Sequence, residues 1–158
     1  MYGHTYLWVD GSSKIVILKQ GWFCVMDAYR DPEKVGASPA QISRFQELRL
    51  FMPFPYFHSA AINFCLGAVI YYDMTLIGSP AKPLTAELAD LHHRYAGCDV
   101  SILPSSVISD IVSDPAALQN LNLIKYLGYG GSRMNGSLGD LLSRKTHSFS
   151  VLGLTEVE

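Results

Sequence analysis

From about Phe64 to Leu152, stretches with strand-like and helix-like residue patterns alternate along the chain. A compact β-branched and aliphatic stretch such as Val100–Leu103 is followed by a helical one, and Gly, Pro, Ser or Asp separates the two. Parallel strands need crossover connections of a dozen or so residues, and this spacing provides them. The pattern predicts an α/β fold with a mostly parallel sheet and crossover helices.

The local signals also predict where the elements lie. Thr85 is placed to cap a helix that Gly97 would stop, Ser105 or Ser106 to cap the helix at 107–112, and Asp114-Pro115 to begin a short helical turn. The predicted strands are 15–18, 74–77, 100–103, 124–129 and 148–152, and the other predicted helices are 21–29, 62–72 (as a buried helix) and 138–145.

Composition restricts the class of protein. The 158 residues are 49% hydrophobic and only 16% charged, which predicts one folded domain and excludes disorder as the main state. With 12 Lys and Arg against 14 Asp and Glu, the chain has no basic surplus for a nucleic acid or an anionic membrane. The low charge content predicts a surface that another polypeptide covers.

The cysteines and the apolar runs indicate the cellular compartment in which the protein is expected. Cys24, Cys65 and Cys98 are odd in number and widely spaced, so they predict neither a disulfide framework nor a Cys-based zinc site. The amino end lacks the basic stretch of a secretory signal, and the apolar run 64–72 is too short to cross a bilayer. We expect a cytoplasmic protein with no membrane partner.

Two glycine-containing segments have the residue types of ligand-binding loops. Gly128-Tyr-Gly-Gly-Ser-Arg-Met-Asn-Gly136 lies between a predicted strand and helix, where ligands bind in open parallel sheets, although Arg133 breaks the dinucleotide spacing. Gly11-Ser12-Ser13-Lys14 combines glycine, hydroxyls and a lysine, as phosphate loops do, but is too short for the full motif. Both segments have the alternative interpretation of a plain surface turn.

Aromatic and histidine residues form the next candidates. The run 51–58 holds five aromatic or histidine rings and is broken by two prolines, so it predicts a non-helical wall of an apolar pocket in which His58 orients a substrate. The alternative is a core loop whose histidine binds backbone carbonyls. His92 and His93 are adjacent, so their rings point in different directions on a helix and form no metal pair.

A hydroxyl and a carboxylate follow the last predicted strand. Thr155 and Glu156 are oxygen ligands at a strand's carboxyl end, which suits Mg²⁺ and phosphate chemistry.

Four motifs follow one another in an order that is more specific than any of them alone: Phe54-Pro-Tyr-Phe-His58-Ser-Ala, Ser101-Ile-Leu-Pro-Ser-Ser-Val107, Leu127-Gly-Tyr-Gly-Gly131-Ser and Leu152-Gly-Leu-Thr-Glu156. This series resembles the AMP-binding, or adenylate-forming, superfamily. It is most similar to the adenylation domains of fungal nonribosomal-peptide-synthetase-like enzymes of secondary metabolism and of carboxylate reductases.

The resemblance implies that ATP and a small carboxylic acid give an acyl-adenylate and pyrophosphate, with Mg²⁺ as cofactor and a carrier protein as a further partner. It implies that His58 flanks the acyl pocket and that Gly130, Gly131 and Ser132 form a backbone turn against the adenine and the acid. Thr155 would contact the phosphates and Glu156 would hold the metal. Gly11, Ser12, Ser13 and Lys14 would be what is left of the phosphate loop.

The chain departs from the family in ways that bear on activity. The phosphate loop is shortened, and the ribose-binding aspartate and the catalytic lysine of relatives have no counterpart, so residues 1–158 are expected to be a single incomplete adenylation domain that is inactive alone. Two alternatives stay open. The chain could be a non-catalytic binding or assembly module, or one half of a split enzyme completed by a second chain.

Overall fold

A computed structural model describes residues 2–7, 13–18, 21–36, 41–132 and 134–151. The strands are β1 (Tyr2–Leu7), β2 (Ser13–Leu18), β3 (Arg49–Phe51), β4 (Thr75–Ile77), β5 (Val100–Pro104), β6 (Tyr126–Gly130) and β7 (His147–Ser150). The α-helices are α1 (Gly21–Ala28), α2 (Ser59–Ile62), α3 (Val69–Tyr72), α4 (Ala86–Tyr95), α5 (Ser105–Ser113), α6 (Pro115–Asn120) and α7 (Gly136–Ser143). Short 3₁₀ helices span Pro32–Val35, Gln41–Phe45 and Leu121–Leu123.

The main sheet has five strands in the order β4-β3-β5-β6-β7, and every neighbouring pair is parallel. Strands β1 and β2 form a separate antiparallel pair. The α/β class and the parallel sheet are thus confirmed. Strand β3 was not predicted, although it lies inside the sheet between β4 and β5.

Two apolar clusters pack on opposite faces of the sheet, as expected when parallel strands are covered by helices on both sides. One holds Ile108, Ile111 and Leu142 from α5 and α7, and the other holds Phe45 and Ala61 from the 3₁₀ helix and α2. Strand β5 contributes Ile102 and Leu103 to different clusters because successive side chains point to opposite faces.

The helix predicted at 62–72 is longer than expected and only half buried. A π-helical stretch, Asn63–Ala68, joins α2 to α3, so the helical segment runs from 59 to 72 and ends at Asp73 in the left-handed conformation. Leu66 and Ile70 are 49% and 61% exposed. The prediction of a buried helix was therefore wrong for one of its faces.

Most helix boundaries agree with the capping signals. Thr85 accepts the Leu88 N–H at the start of α4, and Asp114 accepts two N–H groups at the start of α6. The predicted serine cap of α5 was wrong, because Pro104 is its N-cap residue and makes no side-chain cap.

Candidate functional site

All five strands of the main sheet end at the same edge because they are parallel. The aromatic run follows β3, Ser105 follows β5, and Gly131 and Ser132 follow β6. Ligands of open α/β sheets bind in the crevice beyond this edge. The fold therefore brings together three of the four segments that sequence motifs mark as functional.

The turn after β6 requires glycine at two positions. Gly131 has a φ of +84°, a conformation that strains any residue with a Cβ. A Cβ on Gly130 would lie 2.8 Å from the carbonyl oxygen of Val151, so no larger residue fits without moving the backbone. Gly131 therefore leaves backbone exposed at the sheet edge, whereas Gly130 is required by close packing against Val151.

Ser105 holds this turn from the neighbouring strand. Its side-chain hydroxyl lies 3.2 Å from the carbonyl oxygen of Gly130 and 2.9 Å from that of Ser132, and it can donate to either. The residue is only 5% exposed. The sequence predicts a helix-capping role for Ser105 and not these hydrogen bonds to the turn after β6. The one sequence signal for them is the position of Ser105 directly after the strand that ends at Pro104.

Helix α7 begins just beyond the turn. The Asn135 side-chain oxygen accepts both the backbone N–H and the hydroxyl of Ser137, each at 3.1 Å. The helix start is therefore fixed by a local cap, and the backbone between β6 and α7 is held at both ends.

His58 lies at the start of α2 and caps it. Its Nδ1 accepts the Ala60 N–H at 3.2 Å, and its ring stacks on Phe54 with 5.7 Å between centroids. The side chain is exposed, so the alternative of a core histidine bound to carbonyls does not describe it. Nδ1 is an acceptor here, which leaves Nε2 to carry the hydrogen of the neutral ring.

The aromatic run contributes to an apolar groove, as predicted, but through Tyr56. This groove of about 640 Å³ lies between the helical segment 59–72 and β4, and Ile62, Cys65, Leu66 and Leu76 also line it. Burial raises the pKa of the Cys65 thiol to about 11, so Cys65 is a neutral apolar wall at physiological pH and not a nucleophile.

The adjacent histidines are both packed. The ring of His92 stacks on Phe51 at 4.2 Å, and its Nδ1 pairs with the Leu88 carbonyl at 2.7 Å. His93 is 3% exposed, and its Nε2 lies 3.0 Å from the Ser101 hydroxyl. The two rings thus have different partners, and the described residues contain no group of three His, Cys, Asp or Glu able to hold a metal.

The remaining predicted site residues lie at or beyond the limits of what the structure describes. Gly11, Ser12, Thr155 and Glu156 lie outside the described residues. Ser13 and Lys14 are the first residues of β2, opposite Leu7 and Tyr6, so these two belong to a strand and not to a surface turn. In the described residues, no helix is long and apolar enough to span a bilayer.

Comparison with known proteins connects this fold to one group of enzymes. No protein-family model matches the chain. A carboxylic acid reductase of Neurospora crassa is 26% identical over 136 residues, which are 84% of this chain and 13% of the reductase. The N-terminal subdomain of NpsA from Klebsiella oxytoca, solved with 3-hydroxyanthranilyl-AMSN, superposes with a TM-score of 0.76 at 13% identity, covering 98% of this chain and 37% of that one.

A further solved structure is O-succinylbenzoate coenzyme A synthetase from Bacillus subtilis, in complex with ATP and magnesium ion. Its TM-score is 0.69 at 14% identity, covering 98% of this chain and 30% of the synthetase. These comparisons confirm the resemblance to adenylate-forming enzymes. The chain has the fold of part of their N-terminal region and spans about a third of the solved chains.

Proposed function

We propose that this chain forms part of the ATP- and acid-binding site of a carboxylic-acid-activating adenylation domain. In the proposed reaction a carboxylate oxygen bonds to the α-phosphorus of ATP while the bond to the bridging oxygen breaks, so that an acyl-adenylate forms and pyrophosphate leaves. The observation that carries the proposal is the turn at Gly130 and Gly131, which Ser105 holds at the carboxyl edge of a parallel sheet.

The turn offers open backbone to a ligand at Gly131. Gly131 projects no side chain, and a Cβ at this position would meet nothing within 4 Å, so the backbone faces open space. We assign the surface formed by Gly130, Gly131 and Ser132 to the adenine ring and the acid. His58 is assigned to the flank of the acyl pocket, where Nε2 is free to donate to a carboxylate.

The metal is assigned to residues outside the described part of the chain, and the phosphates to such residues together with Ser13 and Lys14 of β2. Thr155 and Glu156 supply hydroxyl and carboxylate oxygens, the donors that Mg²⁺ prefers, and the metal would neutralise charge on the departing pyrophosphate. Gly11, Ser12, Ser13 and Lys14 are assigned to the phosphates from the amino-terminal side. The described residues hold no alternative cluster for a metal.

The proposal extends to the biological setting of the reaction, and the resemblance and the similarity to a reductase support it. We assign the chain to an adenylation unit of a nonribosomal-peptide-synthetase-like or reductase enzyme of fungal secondary metabolism. A carrier protein or a complementary enzyme chain would take up the activated acyl group. Its site of action would be the cytoplasm.

A thermal melt of the purified chain with ATP, with and without Mg²⁺, tests the proposal. A ligand that binds only the folded state raises the melting temperature by mass action, so Mg²⁺-ATP should raise it more than ATP alone. In Glu156→Gln the metal-dependent part of the shift should disappear, whereas Glu158→Gln, two residues away, should keep it. The same shift in all three proteins would contradict the metal assignment, and no shift in any of them would contradict nucleotide binding.

A second candidate function, an assembly module without catalysis, is favoured by one observation. Leu66, Val69 and Ile70 form an exposed apolar face on the helical segment 59–72, next to the edge strand β4. Such a face is typical of a surface that binds another polypeptide. Absence of nucleotide binding together with self-association through this face would favour this function over adenylation.

A further inference from the structure

A polar groove of about 300 Å³ lies at the amino-terminal edge of the sheet, where β6 and β7 begin. Gln41 and Arg44 form one wall, and Tyr126, His147 and Ser148 form the other. The glycine turn that follows β6 lies at the opposite end of that strand. The groove is therefore separate from the site proposed above for ATP and the acid.

The wall with Arg44 is anchored to the sheet by the neighbouring residue. Phe45 is 2% exposed, and its ring lies 4.9 Å from that of Tyr126 and 5.3 Å from that of Phe149. A 3₁₀ helix has three residues per turn, so Gln41 and Arg44 lie on the same face of the 3₁₀ helix. Because Phe45 is packed in the core, the 3₁₀ helix is held in place and its Gln41 amide and Arg44 guanidinium both line the groove.

The opposite wall is equally well defined. His147 and Tyr126 are paired in the parallel register of β6 and β7, and their rings lie 5.7 Å apart. Ser148 follows His147 on the same strand. An imidazole and a phenol therefore lie across the groove from the guanidinium, whereas the side chain of Ser148 points to the opposite face of the sheet.

The groove contains hydrogen-bond donors, Arg44 among them, but no acidic side chain among its described lining residues. The hydroxyl of Thr146 is within 3.1 Å of the Ile124 and Lys125 carbonyl oxygens, and that of Ser143 donates to the backbone carbonyl of Asp140, so these two hydroxyls are occupied. In the described part of the chain, neither Arg44 nor His147 forms an ion pair.

The carboxylate before β5 is occupied by other partners. Asp99 accepts the Lys125 ammonium at 2.8 Å and the Arg49 backbone N–H at 3.0 Å. Burial pushes the pKa of Asp99 upward, but these hydrogen bonds outweigh it, so the pKa lies below its ordinary value. Asp99 is thus ionised and engaged, and it does not neutralise Arg44.

We propose that this groove binds a compact oxyanion of the phosphate class. A guanidinium binds two oxygens of such an ion at once through its planar fork, and the imidazole can donate to a third. The volume is at the lower end of the range for ligand pockets, which fits a phosphate group better than a whole nucleotide. The proposal does not depend on adenylation, since it concerns the other edge of the sheet.

Calorimetric titration of the full chain with inorganic phosphate tests it, with chloride as the comparison at matched ionic strength. The wild type should bind phosphate saturably. Arg44→Gln should weaken binding at least about tenfold, because it removes charge-assisted hydrogen bonds. Arg44→Lys should give an intermediate affinity, since it keeps the charge and loses the fork. Lys82→Gln, which removes an exposed cation from the loop after β4, should bind as the wild type does.

His147→Gln on a different element is the second variant and should also weaken binding, so the test does not depend on one substitution. Glycerol 1-phosphate in place of phosphate distinguishes a phosphate ester, which would bind more tightly, from the free ion. Equal affinity in wild type, Arg44→Gln and His147→Gln would overturn the proposal, as would heats no larger than those of chloride.

Discussion

At the scale of single residues, Ser105 illustrates what local sequence signals do not contain. A serine directly after a strand is a common helix cap, and the sequence predicts that role for it or for Ser106. In the structure its hydroxyl is directed at carbonyls of the turn after β6, 25 and 27 residues away. Because this partner is distant along the chain, only the assembled sheet reveals it.

Ser105→Ala should lower the free energy of unfolding by about 1 kcal/mol, because the carbonyl oxygens of Gly130 and Ser132 lose the hydroxyl donor that lies between them. Urea denaturation followed by circular dichroism measures this. Ser113→Ala is the matched control on the same helix, since its exposed hydroxyl donates only to the Ser109 carbonyl, and it should change stability by less than about 0.5 kcal/mol. Equal losses in the two variants would contradict a holding role for Ser105.

His93 makes stability depend on pH. Burial lowers the pKa of this imidazole to about 4, an effect that Asp90 partly opposes and His92 reinforces. The unfolded chain therefore binds a proton at a higher pH than the folded one does. The contribution to stability is complete above the ordinary histidine pKa and is lost as the pH falls from about 6.5 towards 4, a change on the order of 3 kcal/mol.

Urea denaturation at a series of pH values between 7 and 4 tests this linkage. The wild type should lose stability steeply over the range, and His93→Gln should lose less because no buried imidazole remains to be protonated on unfolding. The control His147→Gln removes an exposed imidazole and should keep the wild-type slope. An unchanged slope in His93→Gln would refute the assignment.

At the scale of elements, helix α4 was predictable and strand β3 was not. Thr85 and Gly97 mark the limits of α4 with local chemistry, a cap and a left-handed stop with a φ of +62°. Strand β3 has three residues and begins with Arg49, so it carries no alternation of its own. It is a strand because β4 and β5 pair with it on both sides, and the paired residues lie 26 and 50 positions further along the chain.

Thr85→Ala should destabilise the chain by about 1 kcal/mol, because the Leu88 N–H loses its acceptor at the start of α4. Thr85→Ser keeps a hydroxyl in the same place and should restore most of the stability. Thermal and urea denaturation of the three proteins measure the difference. If the serine variant were as unstable as the alanine variant, the loss would come from packing of the methyl group and not from the cap.

At the scale of the whole molecule, the order of the four motifs predicted the resemblance to adenylate-forming enzymes, which no single motif did. The alternation of elements predicted the parallel sheet, and a parallel sheet places Ser105 and the glycine turn at one edge. Sequence spacing did not predict the close packing at that edge, for example the approach of Gly130 to the Val151 carbonyl. This packing depends on the pairing of β6 with β7. The low charge content predicts a covered surface, and Leu66, Val69 and Ile70 form the exposed apolar face to which that prediction applies.

This apolar face should cause the chain to self-associate, because the neighbouring edge strand β4 also leaves backbone groups on one side without a strand partner in the described sheet. We expect the sedimentation coefficient of the wild type to rise with protein concentration. The double variant Leu66→Gln, Ile70→Gln should remain at the low-concentration value. Leu123→Gln is the matched control, since Leu123 is 57% exposed, like the two residues of the face, but lies in a separate 3₁₀ helix. Concentration-dependent sedimentation that persists in the double variant, or disappears in Leu123→Gln, would place the association surface elsewhere.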